Sequence, residues 1–334
     1  MEFKELTKLL ACAYGPSGRE DKVAAVLTEQ LAPYMDEVRR DVMGNVIGFK
    51  KGVNGKSIML SAHMDQIGLI VLDIDEKGFL RVAPVGGVSP VISVCREVVF
   101  ENGTRGVVYF ENKKLSLGEA KPEHLYIDIG CTSREQAESH VKLGDICIYA
   151  PHFVDMGGRI ACGALDDRVC CAIILEALKE LKTEYDLYVV FTTQEEVGLR
   201  GATAAAYTIK PDFSLNLDVT ATGDTPECPV MPMALGKGAA IKYMDASAVY
   251  TKPVIDFMRS VAEKNGVRVQ SEILRYGGTD GGAIQRTRGG IAAGCISVAT
   301  RYIHSPVETV DVGDCLEAAK FIRAIVKENE LPIE

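Results

Sequence analysis

Apolar and polar positions fall into two textures along the chain. Residues 2–13 and 19–32 carry the three-to-four-residue spacing of amphipathic helices, with Ser17 as a cap candidate for the second. Residues 41–68 hold two strand-like runs around Asn54-Gly55, a dipeptide suited to a tight hairpin because both positions tolerate positive φ. From about 68 to 155 the runs shorten and become rich in Val and Ile, as in GLIVLDIDEKGFLRVAPVGGV and VCREVVFENGTRGVVYF. Gly, Asn-Gly and Pro punctuate them, which predicts an all-β segment with one short helix over 133–140. After 156 the pattern alternates. A helix follows Asp167, then come the strand LYVVFTT, a helix near 201–208 and the strand DFSLNLDV. A helix over 247–265, a strand over 267–274, the strand IAAGCISVAT and a closing helix over 313–328 complete it. This predicts an α/β fold with a mostly parallel sheet flanked by helices. Residues 1–67 and 156–334 then form one domain, interrupted by a β insertion at 68–155.

Composition narrows the function. The 334 residues suffice for two domains, and the net charge of −9 argues against a general nucleic-acid binder, which needs a basic face for phosphates. No run of about 18 apolar residues is present to span a bilayer. The opening MEFKELTKLLACAYG lacks the basic start and unbroken apolar core of a secretory leader, so a cytoplasmic location is expected. Ten cysteines without a Cys-x-x-Cys pair fit reduced, mostly buried thiols. GVNGKS precedes a strand instead of leading from one into a helix, so it is not a phosphate loop. DIDEKG has Lys77 and Pro84 where a calcium loop needs oxygen ligands, so it reads as a turn.

The placement of ionisable residues points to chemistry. KSIMLSAH ends in His63, with Asp65 two residues on; YVVFTTQEE ends in Glu195 and Glu196; FSLNLD ends in Asp218; CISVATRYIH ends in His304. Ligands of open α/β sheets bind outside the carboxyl ends of strands, so these side chains are expected to converge. GALDDRVCC adds Asp166 and Asp167 at the start of a helix. Each feature alone has a plainer explanation: a surface histidine, a solvated Glu-Glu turn, an acidic helix start that suits the helix dipole. Together, the carboxylates would repel one another without a cation. His63, Asp166, Glu196, Asp218 and His304 are too many for one open catalytic zinc and suit two divalent metals, zinc, cobalt or manganese. Adjacent residues at a strand end point apart, so one glutamate of the pair can bind metal while the other serves as general base. Asp65 is placed to orient His63. His124, His140 and His152 lie in or beside the insertion and read as surface or packing residues. RYGGTDGGAIQRTRGG lets backbone approach a ligand closely, so Gly278, Thr279 and Asp280 are candidate substrate-binding residues, with Arg275 a further possibility.

At this point the resemblance is specific. SAHMDQIG, GALDDRVC, TTQEEVGLRGA, LNLDVT, YGGTDGGAI and HSPVET resemble, in order, the motifs of the tetrahedral (TET) aminopeptidases, cytosolic dinuclear metallopeptidases of the glutamyl and leucyl aminopeptidase type. The resemblance implies His63, Asp166, Glu196, Asp218 and His304 as metal ligands with Asp166 bridging, Glu195 as general base and Asp65 behind His63. It implies a barrel-like insertion that dimerises, dimers that build a hollow dodecamer, and short peptides with a free N-terminus as substrates. The family commonly has Glu where this chain has Gln66. Two other readings stay open: a dinuclear amidohydrolase or carboxypeptidase acting on N-acyl amino acids or at a C-terminus, and a non-catalytic assembly protein that oligomerises through the insertion.

Overall fold

The computed structural model describes all residues except 112, 113, 115, 227, 229, 230 and 334. Its largest element is an eleven-stranded sheet. At the centre the strands Asp186–Thr192, Ser57–His63, Phe213–Thr220 and Ala292–Arg301 lie side by side and parallel. Phe213–Thr220 is buried along its whole length, as a strand covered on both faces must be. Towards the edges the pairing turns antiparallel, with Glu37–Arg40 and Val46–Lys50 on one side and Glu308–Asp311, Arg159–Cys162 and Val154–Asp155 on the other. The α/β sheet flanked by helices is therefore present, with four parallel strands at its centre and a further parallel pair, Ala239–Met244 with Val269–Ile273, branching from Ala292–Arg301.

The two faces are packed differently. Ile58, Leu60, Ala62, Leu187, Val189 and Phe191 join a core with the helices Phe3–Ala11, Leu165–Leu178 and Val312–Ile325. On the other face Met59 and Val190 meet Ala202, Ala205 and Ala206 of the helix Arg200–Ile209. The small alanines let that helix lie close to the sheet.

Two local expectations change. The runs flanking Asn54-Gly55 do not pair as a hairpin: the strand Asp186–Thr192 is inserted between them and bonds to both. Ser17 does not cap the second helix, Asp21–Leu31, whose N-cap residue is Glu20; the Ser17 hydroxyl is used elsewhere. The DIDEKG turn is as expected, with Asp75 Oδ1 accepting from the Lys77 and Phe79 amides.

The segment from Gly68 to Tyr149 forms a separate closed barrel of six strands. Arg105–Phe110 alternates exposed and buried positions, the period-two pattern of a strand with one wet face. The barrel core holds Leu69, Val71, Leu80, Val82, Val98, Val108 and Ile127. Its charges are outside: Arg134 meets Glu76 at 2.9 Å, and Arg81 meets Glu111 at 2.8 Å. The short helix is Arg134–Glu138, and Ser133 caps it by accepting from the Gln136 amide.

Candidate metal centre and active site

His63 and Thr192 are paired across neighbouring parallel strands, so Glu195 and Glu196, just past Thr192, emerge at the same end as His63. Asp218 reaches that end from the next strand, and His304 follows the strand after it. Asp166 and Asp167 lie in non-helical conformations at the head of Leu165–Leu178, so they form a turn ahead of the regular helix. Several non-glycine residues here hold positive φ: Ala164 at 58°, Gln194 at 55°, Leu199 at 58°, Tyr302 at 62° and His304 at 61°. Such conformations cost about 1–3 kcal/mol each and persist where the surroundings over-determine them.

The structure brings the candidate side chains together. Asp166 Oδ1 lies 3.0 Å from His63 Nε2, and its Oδ2 lies 3.4 Å from His304 Nε2. His304 Nε2 is 3.1 Å from Glu196 Oε2, and His63 Nε2 is 3.9 Å from Glu195 Oε2. Donor atoms of His63, Glu195 and Asp218 converge within 4.8 Å, as do those of His63, Asp166 and Glu196 and those of Asp166, Asp167 and Asp218. His124, half-buried, and His140 and His152, exposed, are not among these groups.

Buried carboxylates hold this arrangement from behind. Asp65 accepts from the Glu195 amide at 3.0 Å, the Glu196 amide at 3.3 Å and the Ser17 hydroxyl at 2.6 Å. It also faces His63 Nδ1 at 3.5 Å. Asp167 accepts from the His63 amide at 3.2 Å. On the far side of His304, Nδ1 lies 3.1 Å from the carbonyl oxygen of Gly87, which fixes Nε2 as the atom facing the carboxylates. A Cβ at Gly87 would come within 2.5 Å of that Nδ1, so the close approach requires glycine.

Electrostatics test whether the donor set fits a cation. Burial pushes Glu195 well above the usual carboxylate range, and Asp218, Asp280 and Glu196 push the same way. Burial does the same to Asp218 and Asp167, each reinforced by neighbouring aspartates. Burial would also raise Asp166, but His304 and His63 hold it below its ordinary value. Burial would lower His63, and Glu195, Asp166 and Asp65 overcome it and hold the imidazole well above its ordinary range. Lys242 bears on Asp218 but is bound to Glu272 at 2.5 Å. Asp167 Oδ1 is buried without a hydrogen-bond partner. Crowded imidazole and carboxylate donors with too little positive charge suit divalent cations.

The group opens on a cleft of about 700 Å³. Leu199, Val219, Leu274, Tyr276 and Ile303 give it apolar walls, and Gly278 and Thr279 line it. Asp280 is buried, with Oδ2 accepting from Thr192 Oγ1 and Oδ1 unpartnered; burial pushes it up to about 6. Arg275 is exposed beside the cleft.

Sequence reasoning missed Arg168, Glu308 and Gly87, and read Ser17 as a cap. Arg168 is fully buried and donates to the carbonyls of Met64, Leu10, Ala13 and Gly15, tying the first helix to the end of the His63 strand. With its amide turned so that Oε1 faces Arg168, Gln66 accepts from Nη2 at 2.9 Å. A neutral amide thus meets the guanidinium at Gln66. The available signals were Arg168 directly after the Asp pair, Glu308 four residues after His304, and the Gly86-Gly87 pair.

Known proteins resemble this chain along most of its length. The model of the M42 glutamyl aminopeptidase family matches residues 44–321. The lysyl aminopeptidase of Pyrococcus furiosus is 35% identical over 338 residues, covering 97% of this chain and 96% of that protein. An aminopeptidase from the archaeon Desulfurococcus kamchatkensis superposes with a TM-score of 0.93 at 38% identity, covering 99% of this chain and 95% of that one. The TET1 peptidase of Pyrococcus horikoshii, which can assemble into a tetrahedron or a large octahedral shell, gives a TM-score of 0.86 at 32% identity, covering 98% and 100%.

Proposed function

The chain belongs to the M42 glutamyl aminopeptidase family, and from that premise we propose that it removes the N-terminal residue of short peptides at a centre of two divalent cations. The observation that carries this reading is the position of Asp166 between the histidines, one oxygen towards each. On this reading His304 and Glu196 would hold one cation and His63 and Asp218 the other, with Asp166 available to both. Zinc, cobalt and manganese all suit these donors. When bound, the pair supplies a water that loses a proton near neutral pH and positive charge opposite the scissile carbonyl. Glu195 takes that proton and passes it to the leaving amine. Its burial favours the protonated state it must reach during the cycle. Asp65 keeps His63 Nε2 turned towards the site from Nδ1. The cleft beside Glu195 receives the first residue, with Gly278 and Thr279 along its wall.

The barrel is proposed as the dimerisation domain, with dimers building a dodecamer; the tetrahedral assembly of the TET1 relative supports this. No helix among the described residues is long and apolar enough to cross a membrane. The free thiols, most of them buried, suit the reducing cytoplasm.

The test is hydrolysis of a panel of aminoacyl-p-nitroanilides by chelated protein, repeated after zinc, cobalt or manganese is restored. Metal-restored release is expected, and the panel then gives the preferred first residue. Silence on every free-amine substrate, with cleavage of N-acyl or C-terminal substrates, would move the protein to the amidohydrolase reading.

A further inference from the structure

Glu308 carries no candidate metal-binding role, yet it holds two residues that do. It opens the strand Glu308–Asp311 and is 2% exposed. Its Oε2 accepts from the Asp166 amide at 2.9 Å and its Oε1 from the His304 amide at 2.8 Å. One carboxylate therefore joins the His304 amide of its own turn to the Asp166 amide, 142 residues before Glu308 in sequence. It is itself fixed by pairing with Cys162 on the strand that leads into the Asp166 turn. The residues it holds need holding, because His304 and nearby Ala164 both have positive φ.

A carboxylate suits the task where an amide would not. Two N–H donors need two acceptors, and a glutamine offers one acceptor and an NH2 that would face an N–H. The His63 side depends on this clamp only through Asp166. The His63 amide is held by Asp167, its ring faces Asp65, and Asp218 belongs to a central strand.

We propose that Glu308 is a positioning residue of the metal centre: it holds Asp166 and His304 together, so its loss weakens the His304-side cation, which depends on both, more than the His63-side cation, which loses only the placement of the shared Asp166. The proposal rests on the dinuclear reading above.

The experiment loads metal-free wild type and Glu308→Gln stepwise with Co²⁺, following calorimetric stoichiometry and the visible cobalt spectrum, with kcat and KM at each step. Wild type is expected to take up two equivalents. In Glu308→Gln one equivalent should bind about 10–100-fold more weakly, the effect typical of losing a group behind a ligand, and the other should weaken distinctly less. Its kcat should fall at limiting metal and recover in excess, with KM unmoved. Wild-type affinity for both equivalents, or equal weakening of both, would overturn the proposal. A wild type that takes up fewer than two equivalents defeats the dinuclear reading instead. In that event, or if the variant does not fold, amide hydrogen exchange of the metal-free wild type decides: protected Asp166 and His304 amides sustain the clamp, and rapid exchange at either refutes it.

Discussion

On the barrel, Arg134 meets Glu76 at 2.9 Å with the carboxylate 86% exposed; at the sheet end, His63 meets Asp166 at 3.0 Å with the side chains 2% and 8% exposed. The distances are nearly equal and the consequences are not. Water screens the first pair, and holding two long side chains together cancels most of what remains. The second pair is embedded among carboxylates that cannot all ionise unless cations join them. The barrel thus gains its stability from Leu80, Val82 and their neighbours and carries its charges as a wet coat. The sheet end accepts unfavourable burial of charge in return for a place where metal binds. Function follows the charges that water does not reach.

The comparison breaks most sharply at Glu195. Glu195→Gln should lower kcat by about 10²–10⁴-fold, the contribution of a general base, while metal content stays at the wild-type level. Lost metal, or wild-type turnover, would show that Glu195 is a ligand or a bystander.

Leu80→Ala tests the barrel's side. Leu80 is fully buried in the barrel core, so the substitution should destabilise by about 2–5 kcal/mol in denaturant unfolding. Metal stoichiometry of the folded protein should not change. A loss near zero would mean the barrel does not rest on its apolar interior.

Chelation comes next. Removing metal present at about a hundred times its Kd should cost about 2.7 kcal/mol of stability. Added amide exchange should concentrate in the turns around the ligands, with the Asp166 and His304 amides still protected by Glu308, and leave the barrel unaffected. Metal uptake should also depend on pH. Burial would lower His304, but Asp166 and Glu196 overcome it and push it up to about 12, and His63 is likewise held high. At neutral pH the metal-free histidines therefore carry protons that metal must displace, so affinity rises with pH and falls in acid. Buffer-dependent binding enthalpies measure the release; a pH-independent affinity would contradict it.

The smallest effect belongs to the wet coat. Arg134→Ala should leave the melting temperature unchanged within error despite losing Glu76, because exposed ion pairs contribute little. A clear drop would mean the barrel surface is less screened than its exposure implies.

The same contrast explains what was legible in the sequence. The barrel announced itself through alternation and turns, and four apolar runs pointed their terminal His, Asp and Glu residues at one place. Those signals are local. Asn54-Gly55 misled because the strand separating its two runs lies more than a hundred residues downstream. Ser17 looked like a cap because the sequence near it cannot reveal Asp65, its partner 48 residues away. Arg168 and Glu308 act through backbone groups brought near by folding, so no residue-type pattern at the ligands gives them away.

The carbonyl of Gly87 that touches His304 comes from a loop between barrel strands. The insertion therefore signs off on the catalytic half. A chain whose barrel has not closed lacks the oxygen that turns His304 towards its metal. On the proposed reading, hydrolytic competence therefore requires the insertion to be folded as well as the sheet that carries the ligands.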